Sequence, residues 1–311
     1  MSKRATREAF GATLVELANE GVDVVAVEAD LSKSTTTATF ADAYPERFFN
    51  TGVAEQNMIG VASGLAAAGR VAFTGSFAVF ATGRAYDQVR NTVCYSELDV
   101  KLAPTHSGIT VGPDGGSHQM LEDIALMRVL PGMRVLVPAD YHAAKAALRL
   151  AAATPGPFYI RLGRAAVPLV HPEGFELELG RAYVLREGAD VTLAACGVMV
   201  AEALSAAEEL AARGIEAEVI DVASIKPLDV DTIAGSARKT GGVVVCEEHS
   251  IIGGLGSAVA EALGEHTPVP LRRIGVPDVF GTSGEPADLM EHFGLTFADI
   301  TRAVLDLNES R

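Results

Sequence analysis

Apolar runs such as VVAVE (24–28) and VVVC (243–246) alternate along the chain with amphipathic stretches of helical length. Short unbroken runs of Val, Ile and Ala suit strands buried on both faces, and the 3.6-residue periodicity between them suits covering helices. The pattern predicts an α/β protein with mostly parallel sheets. In the first part, strands are expected at Asp23–Glu28, Arg70–Thr74, Val100–Thr105, Arg134–Val137 and Phe158–Ile160, and helices near 6–19, 55–68, 82–95, 121–129 and 140–153.

From Ala166 the pattern lapses through VPLVHPEGFELELG, where prolines, glycines and the loss of helical period mark a connection. A second α/β series then follows. It predicts strands at Asp190–Ala194, Glu216–Ile220, Gly242–Glu247 and Leu271–Gly275, with helices near 198–213, 229–239, 256–264 and 296–307. The expected organisation is a first domain over 1–165, a linker over 166–185 and a second domain over 186–311.

Composition supports this: 311 residues at 49% hydrophobic are enough for two buried cores. No run of eighteen apolar residues and no apolar N-terminal stretch is present, so the expectation is a cytoplasmic protein with no membrane contact. The formal charge of −15 repels nucleic acid, and no basic run offsets it. Anionic small molecules remain possible partners, because a few inward-facing arginines can reverse the local potential. Cys94, Cys196 and Cys246 lie far apart in apolar surroundings, which favours reduced core thiols.

Chemistry concentrates in four segments of the first domain. The first, FFNTGVAEQNMIGVASGLAAAG, sets Glu55 just after a glycine turn, at the start of a helix rich in small residues. On spacing alone such a carboxylate reads as a helix cap or dipole partner. The words GVAEQN before a Gly/Ala-rich helix, however, resemble the segment that carries the catalytic glutamate in transketolases and deoxyxylulose-phosphate synthase, both thiamine-diphosphate enzymes. The resemblance implies that Glu55 is catalytic and cofactor-binding, with its carboxyl group on N1′ of the aminopyrimidine.

The second segment, AFTGSFAVFATGRAYDQVRN, holds Phe77 and Phe80. Aromatics three apart ordinarily pack in a core. By the resemblance, they form two positions of the pocket in which the pyrimidine stacks. Gly83 stands where a third aromatic is expected, and the following RAYDQ is closer to deoxyxylulose-phosphate synthase, which brings Arg84 towards substrate.

The third, THSGITVGPDGGSHQ, places His106, Asp114 and His118 in a glycine-rich loop after an apolar strand. The spacing fits no standard zinc motif or helical His pair, and either histidine alone would read as structural. Together the loop resembles the donor-sugar wall of transketolases. That implies His106 and His118 as catalytic and substrate-binding residues that exchange protons near neutral pH, and Asp114 as a sugar ligand.

The last group is dispersed. Arg7 (in ATR), Ser34 (in DLSKS) and Arg161 (in FYIRLGR) fall where the family's phosphate ligands are expected, whereas Arg164 reads as an ordinary solvated charge. Whole transketolases also carry a GDG followed some way on by Asn, which hold magnesium and the cofactor diphosphate, and no such segment occurs here. The resemblance therefore implies thiamine diphosphate and Mg2+ as cofactors, no metal ligand in this chain, an N-terminal partner subunit carrying GDG…N, and an α2β2 heterotetramer with two copies of this chain meeting near Glu55. In the second domain, IIGGLGSAVAEAL lacks the full dinucleotide spacing and reads as a tight turn, and Glu247 and His249 share that structural reading. This domain resembles the C-terminal domain of transketolases and 2-oxo acid dehydrogenases, and is expected to serve assembly.

The function these readings imply is transfer of a two-carbon ketol unit from a ketose phosphate to an aldose phosphate. Alternatives are a deoxyxylulose-phosphate-synthase-like or 2-oxo acid dehydrogenase-like subunit, or a scaffold or regulatory protein that kept the fold.

Overall fold

Every residue of Val24–Glu28, Val191–Ala195 and Ala217–Asp221 is buried in the computed structural model, which describes residues 2–309. Unbroken apolar strands require cover on both faces, and helices supply it. In chain order the strands are β1 (Lys3–Ala5), β2 (Val24–Glu28), β3 (Phe48–Asn50), β4 (Val71–Gly75), β5 (Val100–Leu102), β6 (Arg134–Leu136), β7 (Phe158–Ile160), β8 (Ala166–Pro168), β9 (Tyr183–Arg186), β10 (Val191–Ala195), β11 (Ala217–Asp221), β12 (Ser224–Lys226), β13 (Val243–Ser250) and β14 (Leu271–Val276). The first sheet runs β12-β6-β7-β5-β4-β2-β3 and is parallel except for β12. The second runs β14-β13-β10-β11-β9, with β9 antiparallel.

The expected alternation is present, and three departures from it bear on how the domains and the site are joined. The stretch 166–185 contributes strands at both ends: β8 pairs with β1, and β9 joins the edge of the second sheet. The short β12, absent from the expected strands, leaves the second domain's series and pairs with β6 of the first sheet. One hydrophobic cluster accordingly holds Val135 and Val137 together with Ala194, Ile220 and Ile225, so the two domains share a core. Finally, the helix expected over 82–95 is wound as two π-helical turns, Val79–Arg84 and Val89–Cys94, around Tyr86–Gln88. Such turns recur at functional sites because they re-aim side chains.

The segments singled out above leave the carboxyl ends of neighbouring parallel strands: Ser34 follows β2, Glu55 follows β3, Phe77 follows β4, His106 follows β5, and Arg161 follows β7. The chain turns outward from β2 to β3 and returns to β4 on the other side of β2, which makes this edge a topological switch point, the usual place for a ligand.

Candidate active site

Glu55 opens the helix Glu55–Ala67 after Gly52, whose φ of 70° lets the chain reverse out of β3. Its side chain is 2% exposed and makes no capping bond. Instead, Oε2 accepts from Arg84 Nη1 at 2.8 Å. The Arg84 guanidinium also lies 4.6 Å from the centre of the Phe80 ring, and Gln56 Nε2 donates to the Arg84 carbonyl at 3.2 Å. Arg84 thus links the carboxylate to the aromatic pair.

Phe77 and Phe80 are stacked at 6.0 Å, and both histidines join them. His106 lies face to face with Phe77 at 3.8 Å, while His118 meets Phe80 edge-on at 5.5 Å. His106 has a φ of 60°, a left-handed conformation rarely held by a side-chain-bearing residue, and its Nδ1 is 2.8 Å from Thr105 Oγ1. Burial pushes its pKa down to about 3, and the nearby charges of Arg7, Arg164 and His118 add to the effect. The ring is therefore neutral at working pH. The folded value lies below the ordinary 6.5, so unfolding takes up a proton below that pH. Stability contributed here is present above pH 6.5 and is lost as the pH falls towards 3. The expected result in a histidine NMR titration is a His106 resonance that does not move between about pH 5 and 8. A midpoint near the ordinary value would remove the case for a buried, neutral ring.

A second cluster sits beyond His106. Arg7 is half-buried, its Nη1 donates to the Ser34 carbonyl at 2.8 Å, and its buried Nε has no hydrogen-bond partner. Burial first and Arg164 second hold the Arg7 pKa below its ordinary value. Arg164 is half-exposed, bonded to the Val111 carbonyl and 3.7 Å from Asp114. Two neighbouring cations and an orphaned donor suit an anion. The loop that carries Ser34 is held by Glu28, which spacing did not single out. Its buried carboxyl group accepts from Thr37 Oγ1 at 2.8 Å, Thr35 Oγ1 at 2.5 Å, Ala29 N at 3.1 Å and Leu31 N at 3.2 Å. Burial raises its pKa to about 7.

Arg161 departs from the expectation of a phosphate ligand. It is buried, with Nε on Asp123 Oδ2 at 2.7 Å and Nη2 on the carbonyls of Met120 and Glu248 at 3.2 and 2.9 Å. Tyr159 donates to the same Asp123 oxygen at 2.5 Å. Burial works against the charge on Arg161, but Asp123 and Glu248 outweigh it and raise the pKa. With Nε and Nη2 bonded internally and Nη1 3.8 Å from Glu248 Oε2, this guanidinium is turned inward, and Arg164 is the more exposed cation of that segment.

In the second domain, the glycine turn holds an anion of its own. Both Glu247 oxygens cap the helix Leu255–His266, accepting from Leu255 N at 2.7 Å and Gly256 N at 2.8 Å. A Cβ at Gly254 would press on the Glu247 carboxyl group that caps the helix, so a larger residue there would have to displace the cap. The three cysteines are buried.

The cluster brings together a buried carboxylate, two aromatic faces and two imidazoles, a set whose chemistry suits an aromatic heterocycle. Among the described residues, no group of three or more His, Cys, Asp or Glu side chains could hold a metal ion. Among the same residues no helix is long and apolar enough to cross a membrane.

Two α/β domains with a shared core, and a carboxylate, aromatic faces and imidazoles gathered on the carboxyl edge of the first, define the class: a two-domain α/β protein with its candidate site at the switch point of the first sheet. Family models for the transketolase pyrimidine-binding domain and the transketolase C-terminal domain match residues 2–170 and 180–300. The chain is 46% identical to a putative transketolase C-terminal section of Methanocaldococcus jannaschii, over 97% of this chain and 96% of that protein. It is 48% identical to the 6-deoxy-6-sulfo-D-fructose transketolase subunit SqwH of Clostridium sp. (strain MSTE9), over 98% and 95% of the two chains. A solved split-gene transketolase, described as an inactive beta4 tetramer, superposes with a TM-score of 0.91 at 52% identity, covering 98% of each chain. The chain belongs to the transketolase family, as a C-terminal section with the pyrimidine-binding and C-terminal domains.

Proposed function

We propose that this chain is the pyrimidine-side subunit of a thiamine-diphosphate-dependent transketolase that moves a two-carbon ketol unit from a ketose phosphate to an aldose phosphate. The observation that carries this reading is the chain of contacts from Glu55 through Arg84, Phe80 and His118 to Phe77 and His106, with the charges of Arg7 and Arg164 acting on His106. Thiamine diphosphate, with Glu55, Phe77 and Phe80 on its pyrimidine side, would supply the carbon–carbon bond chemistry.

The protein's own residues have distinct tasks. Glu55 holds a proton at N1′ of the pyrimidine, and Phe77 and Phe80 bound that ring. Arg84 competes for the same carboxylate oxygen and the same Phe80 face, so it must yield or share both when the ring is present. His106 and His118 contact the reacting carbonyl and adjacent hydroxyls, where the neutral His106 ring can both donate and accept a hydrogen bond. Asp114 takes a sugar hydroxyl. Arg7 and Arg164, with Ser34, hold the anionic end of the sugar, where binding energy orients the substrate without entering the bond-breaking step. Arg164 replaces Arg161 in this assignment.

Magnesium and the cofactor diphosphate belong on an N-terminal partner subunit carrying GDG…N, in an α2β2 assembly in the cytoplasm. The description of one relative as a subunit and another as a C-terminal section supports a divided enzyme. A two-carbon transfer is favoured over 2-oxo acid decarboxylation by the paired histidines and Asp114, and over a scaffold by the intact run of site residues.

The test is reconstitution. This chain and a partner carrying GDG, co-purified and supplied with thiamine diphosphate and magnesium, are expected to cleave xylulose 5-phosphate, and neither chain alone is. Comparable turnover by this chain alone would overturn the divided site.

A further inference from the structure

The second domain grips the histidine loop far more closely than an assembly role requires. Glu248 lies near the end of β13 and is 3% exposed. Its Oε1 accepts from Thr110 N, inside the loop, at 2.7 Å. The carboxyl group also rests against Gly108, where a Cβ would stand 2.2 Å from the Glu248 carboxyl carbon and φ is 74°. The positive φ favours glycine there, and any Cβ would have to displace the Glu248 carboxyl group.

Backbone contacts extend the grip to the other end of the loop. Arg161 Nη2 joins the Glu248 carbonyl to that of Met120, and Gly108 N donates to the same Met120 carbonyl at 3.0 Å. The loop is thereby closed at its neck. Further along, Gln119 Nε2 donates to the Thr282 carbonyl at 2.8 Å, and Ser283 Oγ to the Pro113 carbonyl at 2.7 Å. His106 lies two residues before Gly108 in its unfavourable left-handed conformation, which persists only where the surroundings over-determine it.

We infer that Glu248 is a positioning residue of the active site: the second domain sets the geometry of His106 and His118 by clamping Gly108 and Thr110 through this carboxylate. The kinetic part of the test rests on the transketolase reading, whereas the spectroscopic part does not.

In the reconstituted complex, Glu248→Ala is expected to lower kcat/KM for the ketose donor by about 10- to 100-fold, as displacement of a reacting group by about 1 Å does. Glu248→Gln keeps an acceptor for Thr110 N and is expected to recover to within a few-fold of wild type. Gly108→Ala attacks the same contact from the loop side and should produce a comparable loss, with the double alanine variant no worse than the more severe single.

In the isolated chain, the His106 NMR resonance should shift in Glu248→Ala and return in Glu248→Gln, a pattern that general loss of stability would not give. A folded Glu248→Ala with His106 resonance and donor kcat/KM within twofold of wild type would overturn the inference. If that variant does not fold, wild-type values in Gly108→Ala would do the same. A shifted resonance alongside a wild-type complex without turnover would reject the transketolase reading and leave the positioning role standing.

Discussion

Glu55→Gln is expected to lower turnover of the assembled enzyme by at least about 10²-fold, the usual cost of losing a positioned proton-transfer group. The substitution preserves volume and can still accept from Arg84, but an amide cannot hold and release the proton required at the ring. The competing account makes Glu55 a helix-dipole partner. Loss of its charge would then cost about 0.3–1 kcal/mol and leave catalysis alone. Its ion pair with Arg84 joins a carboxylate 2% exposed to a guanidinium 49% exposed, and on loss of the carboxylate charge the arginine can turn to solvent, so no charge is left buried and unpaired. The melting midpoint should therefore shift by only a few degrees (~2–4 °C). Cofactor affinity, read by titration in the complex, should change far less than turnover. Wild-type turnover in a folded, cofactor-bound Glu55→Gln complex would remove the catalytic assignment.

How far the sequence reveals this site depends on whether each residue's partner is local. The strand and helix series is legible because burial on both faces leaves runs such as VVAVE without alternation, and the covering helices keep their period. Glu55, Phe77, Phe80, His106 and His118 are legible because each sits in a short word whose order survives in one loop. The β12 strand is not legible: three residues cannot announce a pairing that depends on β6, some ninety positions away. The π-helical winding over Val79–Arg84 leaves almost no trace in periodicity, yet it brings Arg84 to Glu55.

Carboxylates that act on backbone amides are hidden most completely. Glu28 bonds within its own loop and could have been suspected from the Thr35–Thr37 run. Glu248 meets Thr110 across 138 positions, so no local pattern could have named it. The second domain consequently reads as an assembly module from sequence and as a clamp on the histidine loop from structure.

Arg161→Leu and Arg164→Ala are expected to fail in opposite ways. Arg161 directly follows β7, whereas Arg164 lies in the bend that precedes β8. Tyr159 and Arg161, two apart, share the inner face and converge on Asp123. That spacing was the available signal that Arg161 is structural. Replacing it leaves the buried Asp123 and Glu248 without their cation, which typically costs about 3–5 kcal/mol. The melting midpoint should drop by on the order of 10 °C, and turnover should fall mainly through loss of folded protein.

Arg164 is half-exposed and bonded to a single carbonyl, so Arg164→Ala should melt within a few degrees of wild type. Its loss removes a charge-assisted bond to the substrate's anionic end, worth about 1.5–3 kcal/mol, so KM for a phosphorylated donor should rise roughly 10- to 100-fold. The kcat should hold, because that contact is made equally in the ground and transition states. A donor without the anionic group separates the two roles: with it, Arg164→Ala should behave as wild type, whereas Arg161→Leu should remain impaired. An Arg161→Leu protein that melts like wild type but loses affinity for the phosphorylated donor would restore Arg161 to the anion site and displace Arg164 from it.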